Sequence, residues 1–200
     1  MANADRPSGL SPIQYLNGAP WTGGGRVYCI PSTDTNAYAI GDPMASAGSA
    51  DAAGIPTVIL ATAGTGNPIR GVLVSAGGTV YGGAFADPTN LNTTVIPATK
   101  TKAYYVLVVD DPNVIFEVQE VSGGTAFTAT EVGLNANLVA GTNNGYVSGW
   151  EVNNSGETTT ATLQVRLLQL APRRDNVFGE HAKWWVLINN HELRIGQVGL

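Results

Sequence analysis

The feature that most constrains this chain is a rhythm. From Arg26 onward, short apolar stretches rich in Val, Ile, Thr and Tyr are broken by Gly, Pro, Asn or Asp before a helical period can develop. The clearest stretches are 57–61, 69–75, 103–110, 113–121, 146–152, 158–170 and 183–189. Such spacing predicts an all-β protein, a β-sandwich or β-barrel with a jelly roll among the options, joined by Gly/Pro-rich loops. Gly-rich tracts at 45–54 and 77–83 read as loops, with short helical turns conceivable only at 45–53.

Local patterns sharpen this reading. Asp110-Asp111-Pro112-Asn113 has turn chemistry, with Pro suited to a central position and Asx side chains able to satisfy turn amides, so 103–110 and 113–121 are expected to form a hairpin. In the second of these, Val114, Phe116, Val118 and Glu120 share one face, predicted to be core, while Ile115, Glu117, Gln119 and Val121 share a wetter one. Alternation along 158–170 breaks phase at Leu167-Leu168, which predicts a bulge or a change of sheet. Arg26-Val27-Tyr28-Cys29-Ile30 places Val27 and Cys29 on one strand face, so the single cysteine reads as a small core hydrophobe.

Residues 1–25 differ from the rest. They carry Pro7, Pro12, Pro20 and Gly23-Gly24-Gly25 without strand or helix periodicity. The expectation is an extended N-terminal arm ahead of a single β-domain at 26–200, with Leu10, Ile13, Tyr15, Leu16 and Trp21 as hydrophobic pegs. Pegs of this kind need a groove, on the protein's own domain or on a neighbour. Trp184-Trp185 point to opposite faces of one strand, so at most one is core, and the pair is expected to supply a further interface anchor.

Charged residues make up only 12% of the chain, against about 25% for ordinary soluble proteins. The resulting neutral surface is easy to desolvate and suits burial against neighbours. A net charge of −5 with scattered basic residues excludes a phosphate-binding stripe, so no direct nucleic-acid contact is expected. No apolar run reaches membrane-span length, and Met1 is followed by Ala2-Asn3-Ala4-Asp5-Arg6-Pro7 rather than a basic and then apolar leader. Synthesis in the cytoplasm without membrane association is the expectation. Sequons at Asn92 and Asn153 are chance matches in an Asn/Thr-rich chain.

Chemistry-bearing motifs are weak. Gly64-Thr65-Gly66-Asn67-Pro68 lacks the lysine and the helix of a phosphate-binding loop, and no serine occupies a nucleophile elbow. His181 and His191 would lie roughly 30 Å apart on an extended chain, too far to share a metal. Asp110 and Asp111 are accounted for by the turn. No enzyme activity, cofactor or metal is expected from these residues. Aromatic side chains including Trp21, Trp150 and one of Trp184-Trp185 leave a carbohydrate-binding β-sandwich as the alternative.

Six strings, namely Ala4-Asp5-Arg6-Pro7, Leu16-Asn17-Gly18-Ala19-Pro20-Trp21, Ile40-Gly41-Asp42-Pro43, Val106-Leu107-Val108-Val109-Asp110-Asp111-Pro112, Phe116-Glu117-Val118-Gln119 and His181-Ala182-Lys183-Trp184-Trp185, span nearly the whole sequence. Together they resemble the decoration or cement proteins of tailed-bacteriophage heads. The resemblance implies a virion protein on the outer capsid surface, present in many copies. It would bind the major capsid protein, associate with itself as a trimer or dimer, and have no catalytic residues. A tail-tube or head-tail joining protein would share the same composition.

Overall fold

A computed structural model describes residues 3–76, 95–194 and 199; the expected loop at 77–83 and the sequon at Asn92 lie outside these. In chain order the strands are β1 (Ser11–Tyr15), β2 (Arg26–Ile30), β3 (Tyr38–Ala39), β4 (Pro43–Ala50), β5 (Pro56–Leu60), β6 (Gly71–Ser75) and β7 (Val95–Ile96). They continue with β8 (Tyr104–Val109), β9 (Val114–Gln119), β10 (Asn135–Ala136), β11 (Leu138–Val139), β12 (Glu151–Val152), β13 (Val165–Leu170) and β14 (Lys183–Ile188). One short 3₁₀ turn, Ala129–Glu131, is capped reciprocally by Thr128 and Glu131. The protein is all-β, and no helix among the described residues is long and apolar enough to cross a membrane.

Two bodies share one interior. A closed barrel runs β2-β5-β4-β6-β8, and a five-stranded antiparallel sheet runs β1-β9-β14-β13-β10. Antiparallel neighbours alternate in direction, so a ring of five strands cannot alternate all the way round. The mismatch falls between β2 and β5, which are parallel and register through a single pair, Cys29 with Thr57. Tyr28, Ile30, Met44, Val58, Leu73, Val106 and Val108 fill the barrel. Their neighbours Val72 and Val109 turn outward and pack with Val114, Phe116, Val118, Trp184 and Val186 of the sheet.

Several sequence expectations are corrected here. β8 and β9 do not pair: β8 joins β2 and β6, whereas β9 joins β1 and β14. The turn exists, with Val114 N–H donating to Asp111 O at 3.2 Å and Asn113 N–H to Asp111 Oδ1 at 2.8 Å, but it carries the chain from barrel to sheet. Residues 45–50, read as loop or helical turn, belong to β4, held in place by β5 and β6 on either side. Cys29, by contrast, is buried as expected of a small core hydrophobe, on the strand face opposite Tyr28 and Ile30, which fill the barrel. Only 151–152 of the segment 146–152 and 165–170 of 158–170 are strand. The bulge expected at Leu167-Leu168 is present as a register shift between Leu167 and Gln169.

The described part of the N-terminal segment, residues 3–25, lies against the protein's own body. β1 is a strand of the main sheet, and Leu10 is 1% exposed in the shared core. Gly9 and Gly41, at φ 63° and 97°, let Ser8-Gly9-Leu10 pass against Gly41 and Ser148 so closely that a Cβ on either glycine would collide with backbone. Farther out, the Asn3 side chain exchanges hydrogen bonds with the backbone of Val177 and reaches Glu180 O. Of the apolar residues in this segment, Leu10 is enclosed, Ile13, Tyr15 and Trp21 are half-buried, and Leu16 is left exposed.

Candidate interaction surface

The N-terminal hairpin supplies an exposed apolar projection. Trp21 N–H donates to Ile13 O at 3.1 Å and Tyr15 N–H to Ala19 O at 2.8 Å, closing a turn over Leu16–Ala19 in which Gly18 takes φ 85°. Asn17 Oδ1 accepts from Ala19 N–H at 3.0 Å, and Leu16 N–H is tied to Asn113 O at 2.8 Å. The tip is thus fixed to both β1 and the barrel-to-sheet turn, and it presents Leu16 52% exposed. Beside it a shallow depression is lined by Tyr15, Arg26, Asp111, Pro112 and Leu193, the last 46% exposed.

The base of this surface is a polar network that locks barrel, sheet and C-terminal stretch together. Tyr28 hydroxyl donates to Asp110 Oδ2 at 2.6 Å and accepts from Arg70 Nε at 2.8 Å. Burial, then the bond to Asp110, pushes the Tyr28 phenol up to about 12, so it stays a donor. Arg70 also approaches Glu192 at 3.7 Å, and Glu192 accepts from the backbone and hydroxyl of Ser46. Glu192 N–H donates to Ile69 O, which holds Leu193 at the rim.

The remaining predicted anchors separate by burial. Leu10 and Trp184 are enclosed in the core and are not available to a partner: the Trp184 indole donates to Glu120 Oε2 at 3.0 Å and meets Phe127 edge-on at 5.5 Å. Ile13 sits half-buried at the bulge between β1 and β9. Tyr15 and Trp21 are half-buried against the core, with the Trp21 indole bonded to Gly24 O. Trp185 is half-buried on the sheet's outer face, opposite Glu117 and Gln169 in register. A second apolar spot, unmarked by any sequence pattern, is formed by Val177 and Phe178, 47% and 48% exposed.

The two histidines lie at opposite ends of β14. His191 is 2% exposed and accepts at Nδ1 from Leu193 N–H. His181 instead approaches Asp5, Gln119 and Glu151, a grouping the sequence spacing could not announce. No family model, curated protein or solved structure matches the chain.

Proposed function

We propose that the protein is a virion structural protein that decorates the outside of a phage head and cements contacts between major capsid subunits. The observation that carries this reading is the rigid hairpin tip that holds Leu16 in solvent beside Leu193. Burying an aliphatic side chain of this kind contributes about 1.5–3 kcal/mol, and because the tip is already ordered little conformational entropy opposes docking. A chain with only 12% charged residues leaves fewer charges to desolvate on close packing.

The second spot extends the argument. Leu16 is tied to Asn113 at one end of β9, while Asn3, bonded to Val177, leads to Arg6, whose N–H donates to Gln119 at the other end. Six strand residues separate these ends by roughly 20 Å. One copy would therefore touch two neighbours, and two tethered contacts multiply occupancy without new chemistry. For the sugar-stacking reading, Trp150 and Trp184 are both buried, which leaves it Trp21 and Trp185.

The test is binding of the purified chain to shells of the cognate major capsid protein, quantified by co-sedimentation, with light scattering of the free protein. Saturable, stoichiometric occupancy is expected, reduced at least tenfold by Leu16→Asp and further by adding Val177→Asp. Full occupancy by the double variant would overturn the surface assignment. Rings in solution with no shell binding would point to a joining or tube protein, and glycan binding without shell binding to the carbohydrate module.

A further inference from the structure

Four side chains far apart in sequence meet where β9 ends. Gln119 is 1% exposed, and its amide oxygen is fixed by Arg6 N–H at 2.9 Å. Its nitrogen therefore faces two carboxylate acceptors, Asp5 Oδ1 at 2.9 Å and Glu151 Oε1 at 3.0 Å, and the ring nitrogen His181 Nδ1 at 3.3 Å. An amide nitrogen carries two hydrogens, which the two carboxylates take. In the tautomer protonated on Nε2, His181 Nδ1 keeps its lone pair for a cation.

The spacing of those acceptors is that of a coordination shell. Asp5 Oδ1 and His181 Nδ1 are 3.5 Å apart, and all three atoms lie within 4.8 Å of one another. Donors bound tetrahedrally at 2.0–2.1 Å are about 3.4 Å apart, so closing the widest pair needs only small side-chain movement. His181 is also the one non-glycine residue with positive φ among the described residues, at 61°, a conformation kept where the surroundings over-determine it. Glu151 is half-buried, and its Oε1 is held by the Gln119 amide.

We propose that Asp5, Glu151 and His181 bind one zinc-class divalent cation on the solvent side of the Gln119 amide, with water completing the shell. An imidazole among carboxylates favours zinc over calcium, which takes six to eight oxygens. Gln119 acts behind the ligands, orienting both carboxylates as outer-shell donors do. The ion joins the N-terminal segment at Asp5, β12 and the stretch leading into the sheet's central strand, and so fastens the segment around Asp5 to the sheet. Nothing in this site depends on the decoration reading.

The experiment is calorimetric titration of the full chain, stripped with chelator, with zinc chloride and separately with magnesium chloride, followed by melting curves. One equivalent of zinc is expected to bind with Kd below about 10 µM. At a hundredfold excess over Kd the melting temperature should rise by about 5–10 °C. Magnesium at the same concentration should do neither. Asp5→Asn tests an exposed ligand, and His181→Asn removes the ring while keeping a side chain that tolerates the left-handed backbone. Each should weaken zinc binding at least tenfold with the metal-free melting temperature nearly unchanged for Asp5→Asn. Absence of saturable binding, or binding undiminished in both variants, would overturn the site.

Discussion

Replacing His191 by Asn should remove a specific part of the protein's sensitivity to acid. His191 Nδ1 accepts from Leu193 N–H at 3.0 Å, so the proton of the neutral ring sits on Nε2, which is buried and has no partner among the described residues. Burial, then the nearby Arg194, pushes the imidazole down to about 4. A folded pKa below the unfolded value of about 6.5 means that the unfolded chain binds more protons between those limits, so stability falls as pH drops through that window. From pH 7 to pH 5 the loss from this one ring is about 2 kcal/mol, at 1.36 kcal/mol per unit. Asn at this position keeps an acceptor for Leu193 N–H in an Asx turn but does not titrate. Glu120, Glu151 and Asp42, whose carboxyls are raised chiefly by burial, act in the opposite direction, stabilising the fold as they protonate. They are common to both proteins, so the difference between the two isolates the histidine. Urea unfolding followed by tryptophan fluorescence at pH 7 and pH 5 is the assay. With a slope of about 3 kcal/mol/M, the wild-type midpoint should fall by about 0.7 M more than that of the variant. Profiles that run parallel to within about 0.5 kcal/mol would refute the assignment of a buried neutral imidazole.

Three further outcomes follow from buried polar groups and from one glycine. Glu120 is fully buried and accepts from Phe127 N–H, Asn154 Nδ2 and Trp184 Nε1, so Glu120→Gln leaves a donor facing a donor and should cost about 2 kcal/mol, seen as a melting temperature roughly 4–8 °C lower. Lys100 Nζ, with its side chain fully buried, bonds Asp34 Oδ1, Asp34 O and Asn36 O; Lys100→Met strands that carboxylate and should cost about 3–5 kcal/mol, with part recovered by adding Asp34→Ala, as denaturant midpoints will show. Gly9→Ala forces a Cβ into Gly41 O and Ser148 from a left-handed backbone, and should lower stability by more than about 2 kcal/mol while loosening residues 3–8, read as faster amide exchange there.

The sequence carried the strands wherever side chains carried the pattern. Val114, Phe116 and Val118 reach the core as the period requires, but Ile115 and Gln119, on the face read as wetter, are buried too; the phase break at Leu167-Leu168 marks a real register shift. What failed was partner choice, which is non-local. Asp110 to Asn113 has the chemistry of a turn, but nothing in those residues says whether the strands it joins will pair with each other or with others. β4 was hidden because Ala, Ser and Gly leave no hydrophobic signature, and its place is set by backbone bonds to β5 and β6. The pegs between Leu10 and Trp21 were legible as apolar, but the burial of Leu10 depended on the passage of Ser8-Gly9-Leu10 against Gly41 and Ser148, a contact that no local pattern encodes. The grouping of Asp5, Gln119, Glu151 and His181 escaped for the same reason.

The odd number of strands in the barrel has a practical consequence. At the parallel seam two strands meet through one registered pair, and one member of that pair is the chain's single thiol, 2% exposed. The thiol lies on the strand face turned away from the barrel interior, so what hides it is the packing over the outside of the seam. The speed at which a thiol reagent reacts in native buffer therefore reports how often that outer packing opens, separately from whether the whole chain unfolds.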